Sequence, residues 1–247
     1  MRHLILSDIH ANLTALDAAL AAAKGRWDKC VCLGDVVGYG PDPNEVADRV
    51  REIGALTIRG NHDKAGSGLA NADDFNPVAR NVALWTREQL RPENREWLEK
   101  LPVGPVSVDG FSIVHGAYHD EDEYVFAPAQ ALDGLLDAQS PVTFFGHTHL
   151  QGGFTMRDEK VGVLHFKPVG DSPFAPLTIE DGTTYLLNPG SIGQPRDGNT
   201  RAAFAIANLP EKSVEFWRVA YDIEAVQKRM AAAGLPEPLI LRLAFGR

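Results

Sequence analysis

The first sixty residues alternate short apolar runs with helical patterns, and this alternation constrains the architecture of the chain more than any other feature. Leu4-Ile5-Leu6 is a short buried-strand run, after which Asn12 caps a helix whose Leu13, Leu16 and Leu20 recur at helical spacing. Lys29 to Leu33 predicts a second strand. Pro43 then stands at the first turn of a helix carrying Val46, Val50 and Ile53, and Ala55 to Ile58 predicts a third strand. Strand–helix–strand–helix–strand order implies right-handed crossovers between parallel strands, hence an α/β sheet.

The middle of the chain predicts helices over residues 75–90 and 92–101, followed by a hairpin at Asp109-Gly110 between Val106-Ser107-Val108 and Phe111-Ser112-Ile113-Val114. A helix over 128–138 leads into a strand over 142–145. The last third reads as β-rich, with strands over 153–156, 161–166, 177–179, 184–187, 202–207 and 213–219, and a turn at Asp181-Gly182. A helix over 223–233 precedes a Pro-containing tail whose Leu239, Ile240, Leu241, Leu243 and Phe245 are expected to pack back on the rest. No linker interrupts the pattern, so one domain over residues 1–247 is expected. Two mixed β-sheets packed face to face, flanked by helices, accommodate this many strands.

Of the 247 residues, 44% are hydrophobic and 23% charged, which excludes a disordered chain. No segment approaches eighteen apolar residues, so no membrane span is expected, and Met1 to Ser7 lacks the apolar stretch and cleavage site of a signal peptide. A cytoplasmic location follows as an expectation. The net charge of −9 argues against a sequence-independent grip on duplex nucleic acid, yet admits a small anionic substrate where bound cations reverse the local field. Cys30 and Cys32 alternate on one strand face, which is poor disulfide geometry, and read as buried core thiols.

Five short segments concentrate His, Asp and Asn at strand ends: Asp8-Ile9-His10, Gly34-Asp35, Gly60-Asn61-His62-Asp63, His115-Gly116 and Gly146-His147-Thr148-His149. Singly, each is more often a turn than a ligand. Together, in this order, they fall where open α/β sheets bind ligands, at the carboxyl ends of strands. Imidazole with carboxylate suits Mn, Fe, Zn, Co or Ni better than Ca or Mg. Seven ligands exceed one four-coordinate site, so two divalent ions sharing a carboxylate is the economical arrangement. Such a pair, about 3.5–4 Å apart, clamps a phosphoryl group and generates a hydroxide nucleophile.

This ordered set resembles the calcineurin-like metallophosphoesterase superfamily, in particular its small prokaryotic phosphodiesterase branch, some members of which are diadenosine-tetraphosphatase-like. Asn188-Pro189-Gly190-Ser191 is similar to that branch as well. The resemblance implies the αββα metallophosphoesterase fold. It also implies that Asp8, His10 and His149 bind one ion, that Asn61, His115 and His147 bind the other, and that Asp35 bridges them. Manganese is the favoured occupant. His62 is implied to stabilise or protonate the leaving oxygen, with Asp63 orienting its ring. Asn12 and Arg59, beside the motifs, are candidate phosphate contacts, and Tyr39 is a candidate lining residue.

The Ser/Thr protein phosphatases of this superfamily carry an arginine shortly after the bridging aspartate. Here Asp35-Val36-Val37-Gly38-Tyr39-Gly40 has none, and Arg196 is the candidate to supply it. The expected function is therefore hydrolysis of phosphodiester or pyrophosphate bonds in small substrates, nucleotides among the candidates. Phosphomonoesters, including phosphoproteins, are the alternative substrates, and a non-catalytic scaffold is the alternative class. The acidic stretch Asp120-Glu121-Asp122-Glu123 reads as a solvated loop, or more sharply as a lid. His3, His119 and His165 stand outside every motif.

Overall fold

The computed structural model describes residues 1–167 and 172–247. In chain order the N-terminal part contains β1 (His3–Leu6), α1 (Leu13–Ala22), β2 (Lys29–Cys32), α2 (Pro43–Glu52), β3 (Leu56–Thr57), α3 (Asn61–Ser67), α4 (Pro77–Gln89) and α5 (Pro92–Glu99). The middle continues with β4 (Val106–Val108), β5 (Phe111–Ile113), α6 (Pro128–Asp137), β6 (Val142–Phe144), β7 (Gly152–Arg157) and β8 (Lys160–Leu164). The chain closes with β9 (Phe174–Thr178), β10 (Thr184–Asn188), β11 (Ala202–Asn208), β12 (Ser213–Val219), α7 (Ile223–Ala232) and α8 (Glu237–Arg242).

Two six-stranded mixed sheets result, ordered β3-β2-β1-β11-β12-β9 and β4-β5-β6-β10-β7-β8. Strands β1, β2 and β3 run parallel, as their crossover helices require, and β11 joins β1 antiparallel. In the second sheet β5, β6 and β10 are parallel. The period of two along each strand assigns every side chain to a layer. Ile5, Val31 and Leu33 meet Phe111, Ile113, Phe144 and Leu187 between the sheets. Leu4, Leu6, Cys30 and Cys32 face the other way, against Leu16, Val46 and Val50 of α1 and α2. Ala131 and Leu135 of α6 cover the far side of the second sheet through Phe145, Phe154 and Leu186. The layer order is helix, sheet, sheet, helix. Both thiols are buried and unpaired, and burial raises their pKa.

Three local differences from the sequence reading have physical causes. Strand β9 starts at Phe174, three residues earlier than expected, because Pro176 obscured it. A proline inside a strand is tolerated at a sheet edge, where β9 lies. Since β9 pairs with β12 and β10 with β6 and β7, the Asp181-Gly182 turn carries the chain between sheets and closes no hairpin. The C-terminal tail contains α8, which has Pro238 in its first turn, where the missing N–H costs nothing. Its Leu239 and Leu243 are buried against Val226, Met230 and Tyr39, so the tail packs back as expected, with Leu241 and Phe245 left exposed. The third difference is α3, which begins within the Gly60-Asn61-His62-Asp63 motif.

Candidate metal centre

The carboxyl ends of β1, β2 and β3 deliver Asp8, Asp35 and Asn61 to one edge of the first sheet, while β5 and β6 deliver His115, His147 and His149 from the second. The two sheets meet at these ends, and two groups of ligand atoms form. Asp8, His10, Asp35 and His149 place one atom each within 4.8 Å of one another, and so do Asp35, His115 and His147. Asp35 belongs to both. Asn61 joins the second group, its Oδ1 3.3 Å from His115 Nε2.

Tight turns bring these side chains inward. Asp8, His10, Asp35, His147 and His149 all have left-handed backbones, with φ of 51°, 49°, 52°, 65° and 61°. That region is costly for residues with a Cβ, and its concentration here marks a site where geometry is held against local preference. Two glycines are required by close approach. A Cβ on Gly60 would lie 2.1 Å from Asp35 Oδ1, and one on Gly146 would lie 2.2 Å from Ser7 Oγ and 2.9 Å from Asp8 Oδ2. Asn188 braces the Gly146–His149 loop by donating to the Gly146 carbonyl at 2.9 Å and to Thr148 Oγ1 at 3.0 Å.

Hydrogen bonding fixes the histidine tautomers. His10 Nδ1 faces the Val37 carbonyl at 3.1 Å, His149 Nδ1 faces that of Gln194 at 2.6 Å, and His115 Nδ1 faces that of Leu33 at 2.7 Å. A carbonyl only accepts, so each Nδ1 carries a proton and each Nε2 points into the centre. His147 is reversed, its Nε2 donating to the Asp122 carbonyl at 3.1 Å. Burial holds His10 and His149 well below the usual imidazole range, so both rings are neutral. Their Nε2 lone pairs nevertheless face each other at 3.0 Å. Asp35 Oδ2 is buried, accepts no hydrogen bond, and lies 3.6 Å from His10 Nε2 and 3.5 Å from His115 Nε2. Opposed lone pairs around an orphaned carboxylate oxygen are repulsive without positive charge between them. The donor set fits divalent cations.

The ionisation pattern agrees. Burial lifts the Asp8 carboxyl to about 6, while burial works against the His115 imidazolium but the Asp35 and Asp8 carboxylates outweigh it and raise that ring to about 10. In the absence of metal, a proton on His115 thus supplies charge where the ligand atoms converge. Burial lowers His62 to about 4 and His147 to about 3. Ser7 Oγ donates to Asp8 Oδ2 at 2.5 Å, and the His147 N–H donates to Asp8 Oδ1 at 3.0 Å, which orients the carboxylate.

A cavity of about 340 Å³ opens beside the second group, lined by His62, Asn61 and His147 together with Tyr39, Phe75 and Tyr124. Its rim carries Lys64, Asn71, Asp74, Asn76 and Asp122. The His62 ring leans on Tyr39 at 4.3 Å and on Phe75 at 4.8 Å, and Tyr124 stacks on His147 at 3.8 Å. Tyr39 therefore lines the cavity. Arg196 lies with its guanidinium carbon 5.7 Å from the Tyr39 ring centroid.

Three expectations are corrected. Asp63 does not orient His62: its Oδ1 accepts from the Val37 N–H at 3.1 Å and its Oδ2 from the Gly60 N–H at 2.9 Å, while His62 Nδ1 is buried without a partner. Successive residues on a helix point in different directions, so the acid three residues after Gly60 caps α3 instead. Asn12 is engaged within the fold, its Oδ1 capping α1 through the Ala15 N–H and its Nδ2 donating to the Gly193 carbonyl, and it does not line the cavity beside the second group. Arg59 is occupied by a two-pronged ion pair with Glu121 at 2.7 and 3.0 Å. In the acidic stretch Asp120, Asp122 and Glu123 are exposed, as expected of a solvated loop, and Glu121 is half-buried. Glu121 is tied to Arg59 and Lys64, and Asp122 and Tyr124 form a wall of the cavity. His3, His119 and His165 lie away from the centre, His3 against Asp109 and His119 against Asp137.

Residues 1–212 match the Calcineurin-like phosphoesterase superfamily domain. The chain is 34% identical to an uncharacterized protein of Methanocaldococcus jannaschii over 98% of this chain and 97% of that one. It is 24% identical to the phosphodiesterase YfcE of Escherichia coli, covering 81% of this chain and 83% of YfcE. A solved metallophosphoesterase from Sphaerobacter thermophilus superposes with a TM-score of 0.83 at 39% identity, covering 100% of this chain and 99% of that chain. The chain belongs to the calcineurin-like phosphoesterase superfamily and is a metal-dependent phosphoesterase.

Proposed function

We propose that this phosphoesterase hydrolyses phosphodiester or pyrophosphate bonds of small, nucleotide-class substrates with the help of two divalent ions, manganese being the favoured pair. The observation that carries this reading is the buried, unpartnered Asp35 Oδ2, nearly equidistant from His10 Nε2 and His115 Nε2 and common to both ligand groups. Asp8, His10 and His149 would hold one ion, Asn61, His115 and His147 the other, and Asp35 both. When bound, the ions supply Lewis-acid polarisation of the phosphoryl group and activate water for attack.

The chain's own groups do the rest. His62 lines the cavity and, with its ring neutral through burial, serves the leaving oxygen as a hydrogen-bond donor rather than as an imidazolium. Tyr39, Phe75 and Tyr124 offer flat apolar surface to an organic leaving group. The intact ligand set supports a catalyst over a scaffold. The absence of an arginine after Asp35, and the phosphodiesterase among the relatives, support diesters or anhydrides over phosphoproteins. Among the described residues no helix is long and apolar enough to cross a membrane. With two unpaired thiols, a reducing, cytoplasmic setting is the proposed location.

Turnover of bis-p-nitrophenyl phosphate with added Mn²⁺, compared with p-nitrophenyl phosphate, tests the proposal. Asp35→Asn is expected to lose more than about 100-fold, beyond the cost of removing an outer partner of a metal. His62→Ala is expected to lose about 10²–10⁴-fold in kcat. Metal-dependent turnover that survives Asp35→Asn overturns the assignment.

A further inference from the structure

The C-terminal helix brings an arginine to the edge of the centre that no motif announced. Arg242 Nη1 donates to Gln194 Oε1 at 3.3 Å, and the same oxygen accepts from Arg196 Nη2 at 3.0 Å. Two guanidinium ions thus share one neutral acceptor. Neither has an ion-pair partner among the described residues, although the chain carries 33 acidic side chains against 24 basic ones. Arg196 Nε, Arg242 Nε and Gln194 Nε2 are all buried without an acceptor. Gln194 itself is almost wholly enclosed, at 1% exposure.

Unmade hydrogen bonds of buried donors are costly, and two cations brought together add repulsion. Water offers acceptor lone pairs but no countercharge. A tetrahedral oxyanion offers both, and the planar guanidinium fork matches it. The cluster is also built rigidly. Leu239 and Leu243 anchor α8 in the core, the Ile240 carbonyl accepts from Gln227 Nε2 at 2.7 Å, and the Gly246 carbonyl accepts from the Gly198 N–H at 2.9 Å. It abuts the metal centre through the Gln194 carbonyl on His149 and through Tyr39, whose ring lies 4.7 Å from that of His10.

We infer that Gln194, Arg196 and Arg242 form a second oxyanion subsite, which receives a phosphate group of the substrate adjoining the one held at the ligand cluster. This rests on the proposed hydrolysis and narrows it, toward substrates with two linked phosphates.

The test measures inhibition of Mn²⁺-dependent bis-p-nitrophenyl phosphate turnover by inorganic pyrophosphate and by inorganic phosphate, at constant free Mn²⁺. In the wild-type protein pyrophosphate is expected to inhibit at least ten-fold more tightly than phosphate. Arg242→Gln is expected to erase most of that ratio, and Arg242→Lys to retain part of it. Gln194→Glu places a carboxylate between the arginines. It is expected to erase the ratio while raising the melting temperature, an outcome that a merely structural role for Arg242 does not give. Equal inhibition by the two anions in the wild type, or a ratio unchanged in Arg242→Gln and Gln194→Glu, overturns the inference. Calorimetric titration of the Mn²⁺-loaded protein with pyrophosphate needs no turnover. Binding that weakens in Arg242→Gln, in a protein inactive on the diester, sustains the subsite and overturns the hydrolytic reading instead.

Discussion

Gly60→Ala is the sharpest probe of how the centre is built. The φ of −107° and ψ of 174° at Gly60 are open to any residue, so the substitution adds one methyl group without backbone strain. That methyl would stand 2.1 Å from Asp35 Oδ1, 2.5 Å from Asp35 N and 2.7 Å from Asp35 Cγ. Ordinary contacts begin near 3.4 Å, so relieving the clash widens the gap by about 1.3 Å. Asp35 has little freedom to yield, because its Oδ1 accepts from the His62 N–H at 2.9 Å while its Oδ2 faces both ligand groups. If α3 moves instead, Asn61 and His62 move with it. Either way a group placed for catalysis shifts by about 1 Å, which is worth about 100-fold in rate, or about 2.7 kcal/mol in the barrier. The overpacking itself is expected to destabilise the fold by about 1–3 kcal/mol. Steady-state kcat/KM on bis-p-nitrophenyl phosphate, bound-metal content and urea unfolding read the three consequences. A Gly60→Ala protein with kcat/KM within two-fold of wild type and full metal content refutes the steric reasoning.

Two other outcomes are expected. Glu121→Ala strips Arg59 and Lys64 of a common partner and should cost about 1.5–3 kcal/mol in urea unfolding, with a rise in KM as the Asp122–Tyr124 wall loosens; unchanged stability and KM contradict the anchoring role. In the metal-free protein, His10, His62, His147 and His149 have lowered pKa values, so their contribution is complete above the unfolded value of about 6.5 and is lost as pH falls below it. Raised carboxyls at Asp8 (about 6) and Asp63 (about 7) act oppositely, retaining protons that the unfolded chain has lost, and His115, protonated in both states there, adds nothing. Four histidine protons against two carboxyl protons leave a net loss of stability from pH 6.5 toward 4, at about 1.4 kcal/mol per pH unit for each net proton. Melting of chelator-treated protein across that range, showing no loss or a gain on acidification, contradicts this balance.

The sequence alone determined the parallel βαβαβ start, because apolar runs of strand length alternate with helical spacing and the crossovers allow one hand. It also marked the candidate ligands that the fold brings together, since five segments end predicted strands and parallel strands deliver their ends to one edge. Local chemistry was legible too in the Asp109-Gly110 hairpin and in Asn12 as a helix cap. What it could not show was competition for side chains between distant segments. Arg59 reads as a free cation until the fold sets Glu121 beside it, and Asp63 reads as a partner of His62 until α3 turns it toward Gly60 and Val37. Only the tertiary structure opposed the His10 and His149 lone pairs, left Asp35 Oδ2 without a partner, and carried Arg242 from the far end of the chain to Gln194. Periodicity and turn chemistry act over a few residues and are written locally, whereas a lone pair gains or loses its partner through packing between layers, and no spacing in the sequence encodes that.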